Sequence, residues 1–477
     1  MTDKVVLVSG NFNVLHPGHM RLLRFARECG TRLLVAVYSD RIAGKGAHVP
    51  EALRLEGLQS NGWVDEAFLM DEPITDIIGR IRPDIVVKGK EHENAFNAEL
   101  PALVKYGGCL LFSSGESVFS SVDLLRKEFL EANFRSISLP VEYMARHAID
   151  PSKLQGLLHR FASIKVCVIG DLIIDEYVTC QPLGMSQEDP TIVVTPIDSK
   201  LFIGGAGIVA AHAAGMGAQV QFISVTGKDL TREFSERELS AAAVTAKLLA
   251  DDSRPTTLKQ RFRCQGKTLL RVSHLHQAAI STQLQARLLE QVEAAMGNTE
   301  LLVFSDFNYG CLPQAVVDKI TIMAKEQGVM LAADSQSSSQ VGDVSRFRGM
   351  DLLTPTEHEA RLGMRNREDG LVVLAEDLRQ KSSAGNILLK MGEEGLLIHA
   401  GGGGANDWLT DRVGALNAAP RDVAGAGDSL LIASALTLAS GGNIWEAACL
   451  GSLAAAVQVG RVGNTPLRTD ELLRELS

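Results

Sequence analysis

Two short runs carry the residue types that phosphate chemistry needs. The first, "GNFNVLHPGHMRLL" at residues 10–23, places His16 and His19 three apart with Pro17 and Gly18 between them. On the first turn of a helix that spacing puts both imidazoles on one face. The unpaired amides and positive end of such a helix suit phosphate oxygens. Pro17 lacks an N–H that the first turn leaves unused, and Gly18 admits a phosphate close to the backbone. Imidazoles donating to an α,β-phosphate bridge would stabilise departing pyrophosphate without a covalent intermediate. The same residues also fit two plain histidines at a helix start; a metal site would need further ligands, and no His or Cys cluster follows.

The second run, "DVAGAGDSLL" at 422–431, puts Gly425, Ala426 and Gly427 ahead of a helix whose first turn carries Asp428. Small residues there expose amides to an anion. An aspartate beside them can take the proton of a hydroxyl attacking a γ-phosphate. The plainer alternative is a helix cap after a glycine turn.

The elements that must position these runs read as alternating apolar strands and helices. "KVVLVS" ends at Gly10, a helical pattern runs from His16 to about Cys29, and "RLLVAVYSD", "RPDIVVKG" and "GGCLLFSS" continue to about residue 130. That alternation predicts an α/β fold with a parallel sheet covered on both faces. Weak periodicity and a proline in "RSISLPVEYMARHA" suggest a linker over 136–148 between a domain at 1–135 and another at 149–477. Asp150-Pro151 reads as an N-cap followed by proline at the first helical position. From "KVCVIGDLIIDEY" the alternation resumes to the C-terminus. "EDPTIVVTPIDSKLFIGG" and "PTTLKQRFRCQGKTLLRVS" interrupt it with strand composition and predict a small β lid. "GGGGAND" at 401–407 reads as a flexible turn.

Composition narrows the partners. A net charge of −10 argues against nucleic-acid or anionic-membrane surfaces. Seven scattered cysteines suit reduced thiols, the N-terminus is no signal peptide, and "DSLLIASALTLASGG" is too short to span a bilayer. A cytoplasmic location is expected.

The first run resembles the signature of the HxGH nucleotidyltransferases. "LLVAVYSD", Arg54 in "EALRLEGL", "WVDEAF", "RPDIVVKG" and "SSVDLLRK" follow in that family's order and resemble its sugar-phosphate members. The resemblance implies a Rossmann-like domain using ATP with Mg²⁺ and catalysed by His16 and His19. It places Phe12, Gly18, Lys88 and Gly89 at the nucleotide, with Ser120 and Ser121 touching phosphates. Asn13 stands where the family usually has aspartate.

The rest resembles the ribokinase-like (PfkB) sugar kinases through "VCVIGDLIIDEY", "FIGGAGIVAAHAAGMGAQV", "LVFSDF", "LLTPTEHEA", "LLKMGEEGLLI" and "DVAGAGD". Asp171 and Asp175 would then bind sugar hydroxyls, and Gly204 and Gly205 would line the sugar pocket. Lys259, Arg261 and Arg271 would face substrate phosphate, and Glu359 would organise Mg²⁺. Gly392 and Gly395 would lie near the nucleotide with the 425–427 hole, and Asp428 would be the base. Departures cluster here: Ile208 and Thr356 replace asparagines, Tyr309 replaces a lysine, "DPK" reads "DSQ" at 334–336, and Ala424 replaces threonine.

Together the halves resemble the bifunctional enzymes of ADP-heptose synthesis, with the domain order reversed. That implies phosphorylation of heptose 7-phosphate at C1, adenylyl transfer to heptose 1-phosphate, and a homo-oligomer paired through the lid. The alternatives are another sugar phosphate, CTP in place of ATP, or a kinase domain that binds without turnover.

Overall fold

A computed structural model describes residues 4–13, 15, 17–44, 47, 49–89, 92, 96–113, 136–264, 267–337, 342–401 and 408–477. The chain folds as two compact units, Met1–Phe134 with Arg365–Asp377, and Arg135–Met364 with Leu378–Ser477.

The first unit is built on a parallel sheet of five strands. Their spatial order is Glu66–Met70, Arg32–Tyr38, Val5–Gly10, Ile85–Gly89 and Cys109–Ser113. The runs 6–8 and 33–37 are buried, as a sheet covered on both faces requires. The first strand is central, and the chain leaves it in opposite directions to reach its two neighbours. A crevice must therefore open beyond its carboxyl end, between it and Ile85–Gly89. Asn11 to Asn13 and the pair Lys88-Gly89 follow or end those strands at that edge. The following helix begins at Pro17 and ends at Glu28, close to the expected span.

The second unit carries a nine-stranded sheet. Thr245–Ala250, Gln219–Thr226, Lys165–Gly170, Leu301–Asp306, Met330–Ser335, Leu352–Leu353 and Asn386–Lys390 are parallel neighbours in that order. Leu396–Gly401 and Trp408–Val413 close the edge as antiparallel strands. The order reverses between Lys165–Gly170 and Leu301–Asp306, which sets a second crevice at Asp171 and Asp306. The expected lid is present as a four-stranded sheet of Lys267–His274, Thr257–Cys264, Leu172–Met185 and Ile192–Gly205. The glycine run at 402–407 lies outside the described residues.

The segment read as a linker, 136–148, is built into this second unit. Val141–Arg146 is a helix, Tyr143 and Met144 enter the core, and the Tyr143 hydroxyl donates to the Trp445 carbonyl at 2.9 Å. Its apolar residues are too few to show a period, which is why composition alone suggested a connector. The Asp150 cap forms as expected, accepting from the Ser152 amide at 2.9 Å with Pro151 at the first helical position. Asp150→Ala is expected to cost this unit about 1 kcal/mol, read as a lower urea midpoint at unchanged slope.

Candidate active sites

In the first unit, the segment after the opening strand is held from below by Arg54. Its side chain is fully buried, and it donates to the carbonyls of Val49, Asn11 and Tyr38 at 2.7, 2.8 and 2.9 Å and to Asp40 at 2.6 Å. One guanidinium thus ties together the loops leaving two adjacent strands, using its planar fork of donors. Phe12 is buried and takes φ +50°, a region unfavourable for a bulky residue, with its ring centroid 5.0 Å from that of His19. Phe12 therefore packs against His19 through its side chain. Lys88 reaches Glu99 at 2.8 Å, and Glu99 is itself buried, so the lysine is anchored at the crevice edge beside Gly89. Gly18 falls in the first turn of the Pro17–Glu28 helix. His16, Ser120 and Ser121 lie outside the described residues. Glu99 was missed by the sequence reading, because nothing in "NAELPALV" marks a carboxylate that folds back on a lysine eleven positions earlier.

In the second unit, Asp428 sits on the first turn of Ala426–Ala439, after Gly425 at φ +76°. A Cβ on Gly425 would lie 2.3 Å from Asn464 Oδ1, so the turn tolerates only glycine. Asp428 is buried, and its carboxyl is pushed up to about 7 by that burial first and by Asp334 next, against Lys390 and Lys259. The Gln336 amide donates to it at 3.3 Å. Lys390 pairs with Asp334 at 2.8 Å, and Asp334 is likewise raised, to about 6, chiefly by burial.

The lid completes the pocket. Asp175 is buried and accepts from Arg261 at 3.1 Å; burial raises its carboxyl and Arg261 opposes the shift. Arg261 also donates to the Tyr177 hydroxyl at 3.0 Å, and Tyr177 donates to Asp422 at 2.8 Å. Asp422 in turn accepts from the Ala424 and Gly463 amides, each at 3.1 Å. A continuous polar chain therefore runs from the lid to the residue preceding the glycine cradle. Gly204 is needed because a Cβ there would stand 2.5 Å from Asp175 Oδ2; Gly205 beside it is the N-cap of the helix Ala206–Gly215. Lys259 lies over the Tyr309 and Phe307 rings at 5.0 and 5.4 Å from their centroids. Arg271 is exposed on the adjacent strand, directly opposite Arg261.

Two expected ligands are engaged by backbone. Asp171 accepts from the amides of Phe307, Tyr309 and Cys311 at 2.9, 3.2 and 3.2 Å. Burial and the nearby Asp306 raise its carboxyl to about 6 against those three donors. In this geometry it clamps the 307–311 loop. Glu359 accepts from Thr356 N at 2.7 Å and Ser337 N at 3.1 Å, while Thr356 caps Glu359 N at 3.2 Å. Among the described residues no group of three or more His, Cys, Asp or Glu side chains is placed to hold a metal. Gly392 and Gly395 take φ +62° and +90° in the turn joining Asn386–Lys390 to Leu396–Gly401. Tyr177, Asp422, Asn464 and Lys390 escaped sequence reasoning, because each is defined by a partner distant in the chain.

Comparison with known proteins agrees with this geometry. The description "pfkB family carbohydrate kinase" matches residues 163–470. The chain belongs to that family. "Cytidylyltransferase-like" matches residues 7–108, so the kinase part is C-terminal. The "Bifunctional protein HldE" of Bradyrhizobium diazoefficiens is 31% identical over 65% of this chain and 62% of its own length. That of Rhodopseudomonas palustris is 32% identical over 67% and 65%. The chain thus spans somewhat under two thirds of the length of these relatives. Among solved structures, a carbohydrate kinase from Agrobacterium tumefaciens has TM-score 0.51 and 20% identity over 66% of this chain and 97% of its own. Escherichia coli phosphofructokinase-2 has TM-score 0.54 and 17% identity over 66% and 98%; both share the fold. No helix among the described residues is long and apolar enough to cross a membrane.

A carboxyl raised by burial binds a proton in the folded state that the unfolded chain has already released. Its stabilising share is complete below the unfolded value, near pH 4, falls from there, and is fully lost once pH has risen through the folded value, near 7 for Asp428. Asp428→Asn is therefore expected to come closest to the parent in Tm below about pH 4 and to exceed it by a few degrees at pH 8 in scanning calorimetry.

Proposed function

We propose that the chain carries out two steps of nucleotide-activated heptose synthesis. The second unit phosphorylates heptose 7-phosphate at C1 with ATP, and the first transfers an adenylyl group to heptose 1-phosphate, releasing pyrophosphate. The observation that carries the reading is Asp428, a buried carboxylate beside a glycine amide cradle, facing a lid pocket of Asp175, Lys259 and Arg261. Its join to a nucleotidyltransferase-like unit in one chain, as in the bifunctional relatives, supports the pairing of steps.

In the kinase unit Asp175 orients the sugar hydroxyls, and Lys259, Arg261 and Arg271 attract its phosphate. Asp428 takes the proton of the C1 hydroxyl as its oxygen attacks the γ-phosphorus, and the bond to the β-phosphate oxygen breaks with its electron pair leaving on ADP. The raised carboxyl suits a base working near neutral pH. Asp171 fixes the loop that floors the pocket. Glu359 has lone pairs beyond its two backbone contacts and fits a Mg²⁺ held mainly by the ATP phosphates and water, whose charge it would help place. Gly392 and Gly395 keep their turn open at the nucleotide side. In the first unit His16 and His19 stabilise the α,β-phosphate bridge, Lys88 and Gly89 contact phosphate, and Ser120 and Ser121 cap it. Phe12 holds His19.

The exposed apolar residues Leu183, Met185, Ile192, Ile197 and Leu270 on the lid make it the surface through which two subunits pair. Ile197→Glu is expected to leave a monomer by sedimentation; a persisting dimer places the interface elsewhere. His16→Ala should abolish ADP-heptose formation while heptose 1,7-bisphosphate still accumulates, followed by mass spectrometry. Asp428→Asn should do the reverse, lowering phosphorylation by at least ~10²-fold. Absence of any ATP-dependent product with heptose phosphates from the parent chain sinks the reading.

A further inference from the structure

The expected lysines at 309 and 336 are absent, which leaves the phosphoryl-transfer pocket short of positive charge while three carboxyls crowd it. Position 336 still faces the base, but as a neutral amide, Gln336 Nε2 donating to Asp428 Oδ1 at 3.3 Å. A different cation reaches the same place. Lys390 ends the strand Asn386–Lys390, and Asp334 stands near the end of Met330–Ser335. The strand between them, Leu352–Leu353, is only two residues long. Residues 354–356 continue past its end, the Thr354 amide donating to the Ala333 carbonyl at 3.3 Å and the Lys390 amide to the Pro355 carbonyl at 2.8 Å, and the Lys390–Asp334 pair spans this segment at 2.8 Å.

The position of the ammonium is specific. A Cβ built on Gly427 would lie 3.2 Å from Lys390 Nζ, so the charge rests directly against the amide cradle. Burial pushes the lysine down, but Asp334 first, then Glu359 and Asp428, outweigh it and keep it charged. The pair is also incompletely satisfied. Asp334 is 2% exposed, and beyond Lys390 its carboxyl has the Thr354 hydroxyl near it without a close hydrogen bond at Oδ1; the one described bond of the ammonium is to Asp334 Oδ2. A buried ammonium with spare donors is costly unless something else enters the site.

We propose that Lys390 is a catalytic cation of the kinase unit, whose ammonium contacts the transferred phosphoryl group at the 425–427 amides and replaces the charge missing from position 336. Asp334 is its positioning residue. The step is the one written above: the C1 oxygen–phosphorus bond forms, the bond to the β-phosphate oxygen breaks, the hydroxyl proton goes to Asp428, and Lys390 exchanges no proton. Its contribution is to the charge spread over the equatorial oxygens as the phosphoryl group moves.

The inference rests on the kinase reading, and the test separates the two. Lys390→Met in the full chain is expected to lower kcat for ATP-dependent sugar phosphorylation about 10²–10³-fold with little change in the sugar KM. Adenylyl transfer should be unaltered. Gln336→Lys added to Lys390→Met should recover part of kcat. The apolar pair Lys390→Met/Asp334→Leu controls for a structural role: it should restore Tm and leave kcat depressed. Recovery of kcat in that double variant, or parental kcat in Lys390→Met, overturns the proposal. Calorimetric binding of ATP and ADP gives a second readout, with the preference for ATP falling roughly tenfold in Lys390→Met, the scale of one charged phosphate contact. A parent chain that transfers no phosphoryl group but shows this loss overturns the kinase reading and upholds the Lys390 contact. An unchanged ATP preference overturns the contact.

Discussion

A parallel strand must hand the chain to a helix at its carboxyl end, and the first amides of that helix have no partner inside it. The first unit of this protein depends on that constraint, and in the second the helix Ala426–Ala439 leaves the same unpaired amides although it follows the antiparallel edge strand Trp408–Val413. Where the strand order reverses, adjacent connections diverge and leave those amides facing an open crevice instead of packed chain. In the first unit the crevice lies between Val5–Gly10 and Ile85–Gly89, and Lys88 ends the second of these strands. In the second, the cradle at 425–427 opens toward the carboxyl edge of a larger sheet, where Asp334, Lys390 and Asp428 meet. Each crevice presents helix-start amides, and its chemistry is decided by which side chains are brought alongside.

The second unit shows how an acidic pocket is kept usable. Asp171, Asp175, Asp334 and Asp428 are all buried, and burial raises each of them. They differ in what answers that cost. Asp171 is held by three backbone amides and serves the loop; Asp175 is held by Arg261; Asp334 is held by Lys390. Among the described residues Asp428 has a single long hydrogen bond, from Gln336, which leaves it the carboxyl most ready to exchange a proton near neutral pH. The chain Arg261–Tyr177–Asp422–Ala424 joins the lid to the cradle through hydrogen bonds of 2.8 to 3.1 Å. The lid residues and the glycine turn are thereby parts of one polar network.

The departures from the sugar-kinase pattern take on a consistent meaning in this setting. Thr356 still caps its helix and orders Glu359, so the loss of an asparagine there leaves the glutamate in position. Tyr309 gives up a lysine but lies beneath Lys259, which arrives from the lid. Ala424 keeps the backbone contact to Asp422 that a turn into the cradle uses. Ile208 is fully buried in a helix and contributes packing alone.

Periodicity in the chain was enough to determine the α/β class, the lid strands and the Asp150 cap, because each depends on neighbours within a few residues. Motif spacing singled out His16, His19, the glycine cradle and Asp428 as candidates, of which Asp428 stands on the first helical turn after Gly425. The 136–148 segment was misjudged from sequence because its fixing contacts, to Trp445, Asp411 and Leu416, lie some 265 to 300 residues away. The same holds for Glu99 on Lys88, for Asp422 on Tyr177, and for Asp171 as a clamp on the 307–311 loop. Local sequence specifies backbone conformation through short-range sterics and hydrogen bonds. Which charges share a pocket depends on strand order, and Lys390 meets Asp334 because Asn386–Lys390 and Met330–Ser335 flank the same short strand Leu352–Leu353.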